Sequence, residues 1–220
     1  MGRAAHAFAI AILVSAALCC GPQAIADQPV GAAKYQSDPV LGGEKKVLKT
    51  FRLTPKWDRV RKMLMDGSED NSSKLATWIA WAKSLQPESA TDRLLAINKR
   101  VNSEFRYDTD PDIWDEDDYW AEPIEAKRKG RLDCEDYAIF KLFLARTAGV
   151  DAANLAIAVG KIRSTGEFHA IMLGADGDNM YVLDNRSSYM RDTDTFSDFS
   201  IMYAVSMNEL WYYPRAYKNN

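Results

Sequence analysis

The hydrophobic period of this chain changes once, at Gly149, and that change limits what the chain can fold into. Before it, apolar residues recur at helical spacing; after it, they alternate. Trp57, Val60, Met63 and Leu64 form a stripe behind Thr54-Pro55, where proline suits the first helical position. Asn71 to Leu85 and Glu88 to Phe105 give two more helices, the second with Leu94, Ile97, Val101 and Phe105 on one face. A further helix has Asp133 as N-cap, Asp136 three residues on as an approximate capping box, a stripe of Ala138, Ile139, Leu142 and Phe143, and Gly149 as its C-terminal cap. Leu155 to Ile162, Phe168 to Leu173 and Met180 to Leu183 then read as successive strands. Helices followed by hairpin-linked strands predict an α+β fold, with a helical N-terminal half packed on an antiparallel sheet.

The first 26 residues read as a signal peptide. Arg3 supplies the positive start, Ala7 to Leu18 the apolar run, and Ala24-Ile25-Ala26 the cleavage site before Asp27. A lipoprotein anchored at Cys19 or Cys20 is the weaker alternative, since neither has a leucine three positions before it. Residues 27–50, rich in Pro, Gly and Ala up to Gly43, form a flexible lead-in, and residues 51–220 form one domain without repeats or an internal linker. Cleavage removes one positive charge and moves the net charge from −3 to −4, which argues against nucleic acid. No later apolar stretch could span a bilayer, so the expected product is exported, to a bacterial periplasm.

Processing would also leave one cysteine, Cys134, and one histidine, His169. A lone thiol in an oxidising compartment has no intramolecular disulfide partner, so its retention favours chemistry, with an inert buried thiol as the plain alternative. Cys134 takes the first position of a helix, where the dipole favours a thiolate. His169 lies in a strand, and Asp176-Gly177 between the last two predicted strands signals a two-residue type I′ hairpin. If Asp176 and Gly177 are that loop, Ala175 pairs with Asp178 and, counting outward, His169 pairs with Asp184, their Cβ atoms about 5 Å apart. Each residue alone has an ordinary explanation, a strand histidine or a turn aspartate. The order thiol, imidazole, carboxylate on a helix and two strands points to Cys134, His169 and Asp184 as nucleophile, base and orienter. For the oxyanion, the Cys134 N–H is one donor, and the Trp120 indole or the Asn102 amide are candidates for the second.

Asp133, Glu135 and Asp136 crowd the same thiol, and like charge opposes a thiolate. A hard cation would cancel that charge, and calcium suits an all-oxygen site, its shell completed by backbone carbonyls such as those of Asn154 to Ala156. The acids can equally be helix caps and nothing more. Upstream, Asp108, Asp110 and Asp112 suggest a calcium loop, but Ile113 and Tyr119 stand where an EF-hand needs Gly and Glu, so a solvated acidic loop is the better reading.

Asp117-Asp118-Tyr119-Trp120-Ala121-Glu122-Pro123, Asp133-Cys134-Glu135-Asp136-Tyr137-Ala138, His169 and Val182-Leu183-Asp184-Asn185 together resemble the bacterial transglutaminase-like cysteine proteinases, over roughly Trp57 to Trp211. Leu132 replaces an expected glycine, and Ala170 a larger apolar residue. The resemblance implies the transglutaminase-like, papain-like fold, the triad Cys134, His169 and Asp184, and Ca2+ at Asp133, Glu135 and Asp136. It also implies a periplasmic endopeptidase that cleaves the N-terminal region of a large surface adhesin at a tandem-alanine site, releasing biofilm attachment. An inner-membrane cyclic di-GMP receptor would sequester it. A transglutaminase or amidase using the same triad, and a non-catalytic binding module of the same fold, are the alternatives.

Overall fold

A computed structural model describes Leu41 and residues 45–52, 54–67 and 73–214. The expected signal peptide and most of the expected lead-in lie outside these residues. Among the described residues, six α-helices precede or interrupt the strands: α1 (Pro55–Asp66), α2 (Ala76–Ser84), α3 (Ala90–Glu104), α4 (Asp110–Trp114), α5 (Pro123–Lys129) and α6 (Cys134–Thr147). The described strands, in chain order, are β1 (Lys46–Leu48), β2 (Arg106–Tyr107), β3 (Arg131–Leu132), β4 (Leu155–Ile162), β5 (Phe168–Asp176), β6 (Asn179–Leu183), β7 (Arg191–Asp192), β8 (Phe199–Val205) and β9 (Leu210–Tyr212). Seven of them make an antiparallel sheet in the order β1-β9-β8-β4-β5-β6-β7. Lys46–Leu48, within the stretch expected to be lead-in, forms its edge by pairing with β9. No helix among the described residues is long and apolar enough to cross a membrane.

Helix α6 is the axis of the fold. Tyr137 through Ala145 are all buried, because α2, α3 and α5 cover it on one side and the sheet on the other. Its expected apolar stripe is therefore only part of a helix enclosed on all sides. Trp78, Phe105 and Phe140 cluster against it, with ring centroids 4.9 to 5.7 Å apart. Ala170, Met172 and Leu183 join this helix-side core, while Ile171, Leu173 and Val182 pack on the opposite face with Phe199 and Trp211. The sheet is buried on both sides, and period two survives as a choice of core.

The hairpin register differs from the expected one by two residues. Met172 pairs with Leu183 and Asp176 with Asn179, so the loop is Gly177-Asp178. Gly177 has φ 56° and Asp178 is not left-handed, the sign pattern of a type II′ turn and not of type I′. The reason is tertiary. The Asp176 carboxylate accepts from the Thr91 N–H at 3.0 Å and the Thr91 hydroxyl at 2.8 Å, which ties Asp176 to the start of α3 and keeps it in the strand. A two-residue shift preserves the face, so His169 and Asp184 become diagonal neighbours instead of direct partners.

Candidate active site

The Asp184 carboxylate and His169 are in contact across this shifted register. His169 Nε2 lies 3.0 Å from Asp184 Oδ1, and both side chains are buried. Opposite His169 on β4 stands Gly160, beside a bulge; a Cβ there would sit 2.2 Å from the Ser200 carbonyl oxygen, so only glycine admits β8 this close. Arg186, which the sequence reading missed, donates from its backbone N–H to Asp184 Oδ1 at 2.9 Å and from its guanidinium to Oδ2 at 2.8 Å. Burial pushes the Asp184 carboxyl up, but the hydrogen bonds from His169 and Arg186 outweigh it and hold it well below the usual carboxylate range. An ionised Asp184 fixes the proton on Nε2 and leaves Nδ1 as the free lone pair.

Cys134 begins α6 and, with His169 and Ala170, lines a cleft of about 480 Å³. Its thiol donates to Glu135 Oε2 at 3.1 Å. Burial, then Glu135 and Asp133, push the thiol far up, and the nearby Ala170 N–H only partly opposes them. A helix N-terminus contributes at most about 2 kcal/mol, so the carboxylates and burial win unless a positive charge intervenes.

Asp133 caps α6 by accepting from the Asp136 N–H at 3.3 Å, but Asp136 does not complete the box. Its Oδ1 instead accepts from the Ala121 N–H at 2.7 Å, joining the Tyr119-Trp120-Ala121 segment to the cysteine helix. The larger correction concerns Asp110, read from the sequence as part of a solvated loop. It is buried, and its carboxylate oxygen lies within 4.8 Å of those of Asp133 and Asp136; Asp110, Asp118 and Glu135 form a second such group. The parallel ribbon of β2 and β3, with Asp108 N–H donating to the Leu132 carbonyl, carries Asp110 there. Asp110 Oδ1 and Asp136 Oδ2 are buried without a formed hydrogen bond, and the Trp114 indole N–H, itself unpartnered, lies near enough to Asp136 to draw its carboxyl partly down against the upward push of burial. Clustered acidic oxygens with unpaired, buried lone pairs suit a hard cation, whereas helix caps alone would have spent them. The carbonyls of Asn154 to Ala156 cannot join it. Leu155 pairs with Gly174, five residues along β4 from the His169 pairing, roughly 16 Å away.

Of the two oxyanion candidates, Asn102 is committed elsewhere: its amide donates to the Asp184 and Ser187 carbonyls at 2.8 Å and holds the turn carrying Asp184. Trp120 lines the cleft and packs edge-on against Trp57, its centroid 6.3 Å away.

These buried acids make a pH prediction. Burial first, then mutual repulsion, raises Asp133 to about 11, and burial raises Glu135 to about 7. They bind protons more tightly folded than unfolded, so without a cation stability falls as pH rises above the ordinary carboxyl range and through 7. Calorimetry in chelator should therefore give a Tm that drops between pH 5 and pH 8; a flat or rising Tm would mean the acids are not confined as described.

A sequence profile of the bacterial transglutaminase-like cysteine proteinases matches residues 75–215, and the chain belongs to that family. It is a cysteine peptidase with the transglutaminase-like fold. Among solved structures it is similar to LapG of Legionella pneumophila, at 25% identity and TM-score 0.57 over 70% of this chain and 86% of that one. The calcium-bound form of LapG matches equally, and the EGTA-treated form does so over 84% of its length. No curated protein matches the chain in sequence.

Proposed function

We propose that this protein is a calcium-dependent cysteine endopeptidase in which Cys134 is the nucleophile, His169 the base and Asp184 the orienter. The observation that carries the triad is the 3.0 Å contact between His169 Nε2 and an Asp184 carboxylate that Arg186 and burial isolate from solvent. His169 Nδ1 takes the thiol proton; the thiolate attacks the scissile carbonyl; the proton passes to the leaving amine, and water then hydrolyses the thioester. The Cys134 N–H and the Trp120 indole are the oxyanion donors, since Trp120 lines the cleft and Asn102 does not have a free N–H.

Asp110, Asp133, Glu135 and Asp136 would hold calcium, with Asp118 at the cleft side. The bound ion would supply the positive charge that the thiol lacks. The related LapG exists in calcium-bound and EGTA-treated forms, which supports the same ion here. The resemblance in the Trp120 and Cys134 motifs supports a periplasmic protease acting on the N-terminal region of a large adhesin at a tandem-alanine site. It also supports capture by an inner-membrane receptor when cyclic di-GMP is abundant. Incubation with the N-terminal segment of an adhesin encoded beside it, followed by mass-spectrometric mapping, tests this: one cut between small residues is expected in calcium and none in chelator. An uncut segment, or transfer of an amine onto glutamine instead of hydrolysis, would refute it.

Replacing Asp184 with asparagine should be severe. Arg186 donates to both carboxylate oxygens, so an amide NH2 must face either the guanidinium or His169 Nε2, and either arrangement is donor against donor. Turnover should fall roughly 10³-fold with the fold retained. Near-normal turnover would mean that Asp184 does not orient His169.

A further inference from the structure

The catalytic cleft is bounded on its sheet side by an irregularity in β8. Side chains along Phe199–Val205 should alternate between faces, and Phe199, Ile201 and Ala204 all lie in the core on the far side of the sheet from α6. Between Ile201 and Ala204 stand two residues where alternation allows one. Val159 pairs with Tyr203 and Gly160 with Ile201, which leaves Met202 as the extra residue of a β-bulge. Met202 and Tyr203 therefore face the same way, and both line the cleft beside Cys134 and His169.

The strands on either side hold the bulge in place. Gly160 lets β8 approach β4 at this point, since a Cβ there would meet the Ser200 carbonyl oxygen at 2.2 Å. Toward β9, Tyr203 pairs with Tyr212 and Ala204 with Trp211, and the Tyr213 N–H donates to the Met202 carbonyl at 2.9 Å. The backbone of Met202 is thus fixed, and its half-buried side chain is left to the cleft. Tyr203 packs against the helix-side core next to it. A β8 without the extra residue would turn one of the pair into the opposite core and open the cleft on this side. Bulges beside active sites commonly serve to aim a side chain in this way.

We propose that the bulge is the specificity wall of the peptidase: Met202, backed by Tyr203, fills the sheet side of the cleft and leaves room beside the scissile bond for a small side chain. Alanine fits against the thioether, whereas leucine must displace it. A methionine suits the position because its unbranched chain fills an irregular gap between a strand and a substrate backbone. The inference rests on the proposed cleavage between small residues, and it names the side chains that impose that choice.

The test gives the chain from Asp27 to Asn220, in saturating calcium, the adhesin segment with its alanine pair and two versions in which leucine replaces one alanine or the other. The parent should cut at least one leucine version with kcat/KM lower by roughly tenfold or more. Met202→Ala should raise kcat/KM for that leucine version, relative to the alanine segment, by about the same factor, and Met202→Leu should restore the parental ratio. Met202→Phe should act in the opposite sense and raise KM for the alanine segment itself. A parent that cuts all three segments alike, or an unchanged ratio in a folded Met202→Ala, overturns the inference. Should Met202→Ala not fold, Met202→Phe carries the test through its KM, and failure of both to fold makes Met202 a structural residue and overturns it too. A parent that leaves the alanine segment uncut would instead refute the proposed function, whatever Met202 does.

Discussion

Cys134→Ala should abolish proteolysis and leave the fold intact. The substitution removes one sulfur atom from the first position of α6, while the Asp133 cap, the Asp136 to Ala121 bond and the buried face of the helix remain. Nothing else among the described residues can take over, since Cys134 is their only free thiol. His169→Ala should be as severe, because no second histidine follows residue 26. Loss of a nucleophile or its base typically costs on the order of 10⁶-fold in turnover, below the detection limit of a gel assay. Cleavage of the adhesin segment by either variant at the parental rate would refute thiol catalysis, and an altered Tm would expose a folding defect in place of a chemical one.

The second large effect concerns the cation. Asp110 and Asp136 each keep a buried carboxylate oxygen without a formed hydrogen bond, and both share a group with Asp133. Asp136→Ala and Asp110→Ala should each lower calcium affinity by more than tenfold and cut activity in proportion, with activity returning only at high calcium. Glu116→Ala, an exposed acid in the same stretch of chain, should change neither. Calorimetric titration of the three variants beside the parent measures this. Parental affinity in Asp110→Ala would remove that residue from the site, and parental affinity in Asp136→Ala would remove the site from the start of α6.

The acids also show what one sequence reveals and what it hides. Asp133, Cys134 and Glu135 could be read because helix capping and the dipole act within one turn, so their consequences follow from neighbours in the chain. Asp110 could not, because it reaches Asp133 only through the two-residue parallel ribbon joining Arg106–Tyr107 to Arg131–Leu132, which has no periodic signal. The hairpin was readable as a hairpin, and its faces were right. Its register was set by Thr91, 85 residues from Asp176, a contact that turn chemistry cannot anticipate. Arg186 stood two residues from Asp184 in plain view, but an exposed arginine becomes informative only when its guanidinium is seen on the carboxylate.

A cation held among the buried carboxylates is expected to convert Cys134 from a thiol tethered to Glu135 into a nucleophile. The rate at which iodoacetamide alkylates the chain from Asp27 to Asn220 reports that conversion directly, because Cys134 is its single cysteine. In saturating calcium the rate against pH should reach its plateau below pH 8, and in chelator it should still be climbing at pH 10, the two differing by at least tenfold at pH 7. Superimposable profiles in calcium and in chelator would contradict it.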